Sequence, residues 1–308
     1  MKLAMTGFHR AWRRRWRLAA VAACGALSTL VAWPAIEAAA ARPGRSETAE
    51  DAAARRVYAS FDPVAIDDAL IAQPARIAAA VAALPAHPAR AETVVLAVGG
   101  DGFQAIFDRE AQRAAAVLAT RFGGPALVLS NTVAQAERGL LASPKTVDLA
   151  VAALGRRSRP GDTLIVYLAS HGGKQGLIAM DAPRFDFAPL TARRLAGTLD
   201  RAGFKRRIVI VSACFGASWT PLLASPTTIV IAAAAADRTS FGCDDRRELT
   251  VFGEAMLGAL ANRDLPLATA FDRAKRRITT AEQREREVPS LPQASVGAAM
   301  KEVWTTVP

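Results

Sequence analysis

The strongest constraint in this sequence is a series of short, uninterrupted apolar runs at residues 93–98, 126–129, 163–169, 207–211 and 228–232. A run of this length with no polar alternation is a strand covered on both faces. Helical patterns fall between or after the runs, at 108–121, 144–154, 189–202, 249–261 and 265–285. Ser143 followed by Pro144 reads as a helix start, with serine as cap and proline at the first helical position. Residues 177–180 suit a small extra strand, and no internal repeat is visible. Strands buried on both faces need helices on both faces. The expected fold class is therefore α/β, a mostly parallel sheet sandwiched by helices.

Composition narrows what such a domain could bind. Hydrophobic residues make up 51% of the 308, enough for one sizeable core. The net charge of +11 hints at nucleic acid, but eight Lys and Arg against Glu37 alone lie within residues 1–45. The remaining +4 is ordinary for a body of this size, and no aromatic residues interleave with the basic ones to stack bases, so no nucleic-acid partner is expected. Arg10, Arg13, Arg14, Arg15 and Arg17 precede an uncharged run over 18–36 that ends in Ala38 to Ala41. That order is the order of a secretory signal peptide, and the run is also long enough to stay as an anchor. The expectation is an exported protein, periplasmic or held at the inner membrane through this segment alone. The apolar stretch before Cys24 is too short for a lipidated leader. The domain reading is residues 1–41 as signal peptide or anchor, 42–90 as an Ala/Pro-rich helical extension with helices at 49–60 and 63–84, 91–285 as the main domain and 286–308 as a tail.

Two unusual residues occupy equivalent places in this pattern. His171 and Cys214 each follow closely on the end of a buried run, and ligand crevices in open parallel sheets form at the carboxyl ends of the strands. A thiol at its ordinary pKa is mostly protonated near neutral pH, and a neighbouring imidazole supplies the base or ion-pair partner that produces thiolate. His171 and Cys214 are thus the candidate base and nucleophile, with the amides of Gly172 and Cys214 as a candidate oxyanion hole. His9 and His87 lie in the leader and extension, so His171 is the body's one histidine. Cys243 reads as a packed free thiol near the site, because pairing it with Cys214 would extinguish the nucleophile. One histidine and two cysteines fall short of a metal ligand set, and Gly99-Gly100-Asp101-Gly102 lacks the Lys-Ser/Thr of a phosphate loop. No cofactor is expected.

At these residues the chain resembles a known family. Tyr167-Leu168-Ala169-Ser170-His171-Gly172-Gly173-Lys174-Gln175-Gly176-Leu177 is similar to the strand and His-Gly block of the legumain, or asparaginyl endopeptidase, family, and to the catalytic subunit of glycosylphosphatidylinositol transamidase. Ser212-Ala213-Cys214-Phe215-Gly216-Ala217-Ser218 resembles that family's Glu-Ala-Cys-x-x-Gly-Ser, with Ser212 in place of Glu and one extra small residue. Residues 235–243 and 250–254 resemble its segment leading to Tyr-Leu-Gly-Asp, and the likeness extends over about 93–260. The order of histidine before cysteine also resembles caspases. The resemblance implies a caspase-like fold, a Cys-His dyad at Cys214 and His171, and a peptide or protein substrate cleaved through a thioester. It implies Arg109, Ser212, Thr239, Ser240 and Glu254 as walls of the specificity pocket, with Asn or Asp at the cleavage position. Ser212 removes one acidic wall, and Arg109 and Glu254 equally fit a solvated helix face. A transpeptidase or transamidase on the same dyad, and a caspase-like scaffold that binds envelope partners without turnover, both remain open at this point.

Overall fold

The computed structural model describes residues 63–307, apart from 134, 136–138 and 184. The leader, Cys24 and the helix expected at 49–60 lie outside the described residues. The main sheet has six strands: β1 (Thr93–Gly99), β2 (Ala126–Ser130), β3 (Thr163–Ala169), β4 (Arg206–Ser212), β5 (Thr228–Ala232) and β6 (Gln293–Val296). Their order across the sheet is β2-β1-β3-β4-β5-β6, parallel except for β6, which pairs antiparallel with β5. The principal helices are α1 (Pro63–Ala82), α2 (Ala105–Phe122), α3 (Pro144–Arg157), α4 (Ala192–Ala202), α5 (Val251–Leu260) and α6 (Leu267–Glu285).

The period of two along each strand divides the core. Val95, Ala97, Ile165, Tyr167, Ile208, Ile210, Ile229 and Ile231 face one cluster, which α2, α5 and α6 complete. Val94, Leu96, Leu164, Val166, Val209, Val211 and Val230 face the other, under α1, α3 and α4. Both faces are dry, which is why the sequence shows continuous apolar runs there. The expected α/β fold with a mostly parallel, caspase-like sheet and helices on both faces is the fold found.

Local signals place the helices. Ser143 accepts from the Thr146 amide while Thr146 returns a bond to the Ser143 amide, a capping box worth about 1 kcal/mol that pins α3. α2 begins one turn earlier than its apolar period suggests, because Asp101 Oδ1 accepts from the Phe103 and Gln104 amides, at 2.7 and 3.1 Å, and turns the chain into the helix.

Two segments read as peripheral are built into the body. Ile77 of α1 is 1% exposed among the second cluster, and Gln73 Oε1 accepts from the Leu141 amide at 2.9 Å. Residues 286–308, read as a tail, contain β6, and Met300 is fully buried. β6 is an edge strand with two exposed and two half-buried residues, so no apolar run announces it.

Candidate active site

The registers of the central strands decide what meets at the sheet's carboxyl edge. Gly99 of β1 pairs with Ala169 of β3, and Ala169 pairs with Ser212 of β4. His171 and Cys214 therefore each stand two residues beyond one paired position on adjacent strands. The backbone next to His171 packs against the second of these residues: a Cβ added to Gly172 would lie 2.0 Å from the Cys214 carbonyl oxygen. Only a residue without a side chain fits there. Gly172–Gly173 pairs with Leu177–Ile178 in a small hairpin, and the Ala179 amide donates to the His171 carbonyl at 2.9 Å.

The turn carrying Cys214 is strained one residue later, where Phe215 adopts a left-handed φ of 57° without being glycine. It is over-determined by its neighbours. The Phe215 amide donates to the Arg238 carbonyl at 2.8 Å and the Ala217 amide to Ala234 at 2.9 Å. Ser218 Oγ donates to the Phe215 carbonyl at 2.6 Å and accepts from the Gly176 amide at 3.0 Å, which ties this turn to the His171 hairpin.

Cys214 Sγ sits 3.4 Å from the Ser240 carbonyl oxygen and 4.0 Å from Ser240 Oγ. Burial pushes the Cys214 thiol above its ordinary pKa, against the pull of those contacts. Burial likewise lowers the pKa of His171, opposed by the charge of Asp181. Both shifts favour a neutral thiol and a neutral imidazole at rest. The ring of His171 stands edge-on to Phe107, 5.0 Å between centroids. Cys214 and Cys243 are both free thiols, and burial, followed by the nearby Cys214, pushes Cys243 up to about 11.

Gln104 was not singled out from the sequence, yet it holds the imidazole. Its Nε2 donates to the Cys243 carbonyl at 3.1 Å, which turns its Oε1 toward His171 Nε2 at 2.7 Å. An amide oxygen can only accept. His171 Nε2 must then carry the proton, leaving Nδ1 as the basic nitrogen. The signal for Gln104 was positional: it lies in the polar loop after β1, beside the strand that carries His171.

The expected pocket residues divide. Ser240 lies against the Cys214 sulfur, and Thr239 precedes it in the same loop. Ser212 is 3% exposed and turns into the core, with Oγ 3.4 Å from Thr250 Oγ1, so it does not stand as a pocket wall. Arg109 donates to the carbonyls of Asp245, Arg247 and Glu248 at 3.2, 2.7 and 3.1 Å. It fastens the 245–248 loop rather than presenting an unengaged guanidinium. Glu254 is exposed on the first turn of α5. The charged residue that does reach toward Ser212 is Glu110, fully buried and accepting from Tyr167 Oη at 2.8 Å and from the Thr250 amide and hydroxyl at 3.0 and 2.6 Å. It shares the buried face of α2 with Ile106, Phe107, Ala111 and Ala114, where a carboxyl has no ordinary reason to be.

Residues 150–302 match the family model of the Peptidase C13 family. No curated protein matches the chain.

Proposed function

From the premise that this chain belongs to the Peptidase C13 family, the legumain-type cysteine peptidases, we propose that it cleaves peptide bonds with Cys214 as nucleophile and His171 as base. The observation that carries the assignment is the shared edge of β3 and β4, where His171 and Cys214 stand at matching offsets with Gly172 pressed against the Cys214 carbonyl. In the reaction the thiol proton moves to His171 Nδ1 as sulfur adds to the scissile carbonyl carbon. The C–N bond then breaks, the leaving amine takes the proton from His171, and a thioester remains. Water attacks the thioester, giving a proton to His171, and the C–S bond breaks to return the thiol. Gln104 keeps the imidazole in the tautomer this sequence requires. The amides of Gly172 and Cys214 are the proposed donors to the oxyanion.

For the residue on the acyl side we propose asparagine in preference to aspartate. With Arg109 engaged by loop carbonyls and Glu254 exposed, the groups beside Cys214 are the Ser240 carbonyl and hydroxyl, with Thr239 next to them in the chain, which suit an uncharged amide. The basic and apolar leader, outside the described residues, supports export of the enzyme.

The test is cleavage of matched peptides carrying Asn, Asp, Lys or Leu before the scissile bond, by wild type, Cys214→Ala and His171→Ala. Cleavage after Asn that both variants abolish is expected. Near-wild-type turnover in either variant removes the dyad. Preference for Lys or Leu removes the pocket assignment alone.

A further inference from the structure

Asp101 stands in the loop after β1, outside the stretch that matches the family, and has no part in the chemistry set out above. It is 6% exposed, so its carboxyl is held in the protein rather than in water. One oxygen, Oδ1, accepts from the Phe103 and Gln104 amides at 2.7 and 3.1 Å and so sets the backbone from which the Gln104 side chain reaches His171. The other, Oδ2, lies 3.9 Å from His171 Nε2. The backbone around it is fixed in turn: Gly102 donates to the Asp181 carbonyl at 2.7 Å, and the Asp181 amide donates to the Gly100 carbonyl at 2.8 Å.

We propose that Asp101 is a positioning residue for the reaction, which aims Gln104 at His171 through one oxygen and stabilises the imidazolium through the other. This role rests on the dyad reading. Its physical basis is the geometry of proton transfer. Nε2 already carries a proton, held by Gln104, so the proton taken from Cys214 makes His171 a cation. Gln104 supplies a dipole, not a charge. A carboxylate within about 4–6 Å favours the cationic form by ~1–3 pH units. Added to the charge of Asp181, which already opposes the effect of burial on His171, it supplies the compensation a thiolate-imidazolium pair needs where burial disfavours each charge separately. The titratable groups around this carboxyl are His171 after β3, Asp181 of the neighbouring hairpin, and Cys243 and Asp245 of the loop before α5. Burial, with Asp245 adding to it, raises Asp101 to about 6, so it is charged at neutral pH and loses its charge in mild acid.

The test separates the charge from the turn. Asp101→Asn keeps an oxygen for the two amides and deletes the charge; Asp101→Ala deletes both. The rate of Cys214 alkylation by iodoacetamide is measured from pH 5 to 10 in wild type, both Asp101 variants and His171→Ala, with the labelled residue identified by mass spectrometry. For Asp101→Asn the expected result is a rate at pH 7 lowered by ~10-fold or more, an onset moved ~1–3 units upward, and convergence with wild type near pH 10, where the thiol ionises unaided. Asp101→Ala should add a fall at every pH, as Gln104 loses its anchor. An Asp101→Asn profile superimposed on wild type, or one lowered equally at all pH values, overturns the proposal, provided His171→Ala collapses the rate. A Cys214 rate indifferent to His171→Ala overturns the dyad first, and the role of Asp101 with it.

Discussion

Replacing Glu110 perturbs a carboxyl that has no solvent contact and at least three donors aimed at it. Burial raises its pKa, while hydrogen bonds from Ser212, Thr250 and Tyr167 pull the other way. Glu110→Ala strands the Tyr167 hydroxyl and both Thr250 donors in the core, at ~1–3 kcal/mol for each group left unsatisfied. It also opens a cavity. With partial relaxation the expected loss is about 4 kcal/mol, a large share of the stability of a domain this size. Gly253 makes the argument sharper, because an added Cβ would lie 2.2 Å from Glu110 Oε2 and 2.3 Å from its Cδ. Gly253→Ala gains ~1 kcal/mol of helix propensity but overpacks the site by ~1–3 kcal/mol, a net loss in wild type. In the Glu110→Ala background the overlap vanishes and the new methyl fills part of the void, so the same change should be neutral or stabilising. The double-mutant cycle should show ~2 kcal/mol of favourable coupling. Urea unfolding of the four proteins, followed by circular dichroism, measures it. Additivity within ~0.5 kcal/mol, or a Glu110→Ala loss below ~1 kcal/mol, would refute the reasoning.

Three other outcomes follow from the same coordinates. Arg109→Ala should destabilise by ~1–2 kcal/mol and open residues 244–248 to limited proteolysis without changing the Asn-to-Asp selectivity ratio; a collapsed ratio with an intact loop would return Arg109 to the pocket. Gly172→Ala should lower kcat/KM by ~100-fold or more in a protein that still folds, since its Cβ would force the His171 hairpin away from Cys214; near-normal turnover would contradict that spacing. His87 Nε2 meets Asp162 Oδ2 at 2.7 Å, and the bond raises His87 above 6.5 while burial at Asp162 is outweighed by bonds that bring it below 3.8. The His87 contribution is fully present below 6.5 and lost as pH rises through its folded pKa; that of Asp162 is present above 3.8 and lost as pH falls through its folded value. Thermal melts of wild type and His87→Gln should therefore differ most between those limits and converge at pH 9, and a constant gap across pH would exclude the linkage.

Much of this molecule was legible before any coordinate. The runs at 93–98, 163–169 and 207–211 announced strands buried on both faces, because a face that meets water must carry polar residues. His171 and Cys214 stood out because a strand end in a parallel sheet is where the backbone stops being covered and side chains become available. Local chemistry sufficed for α3, whose cap lies within four residues of its start. What could not be read were the partners brought in across the sheet. Arg109 and Glu254 looked equivalent as helix charges, and only tertiary packing decided that one clamps a loop 136 to 139 positions away while the other faces water. Gln104 and Asp101 are unremarkable in one dimension, and Glu110 shows there only as a carboxyl on an apolar helix face. Their roles come from separations of 57 to 140 residues closed by the fold, and a hydrogen bond between distant residues leaves no periodicity in the chain. β6 escaped for the complementary reason, since an edge strand half open to solvent carries no apolar run to mark it.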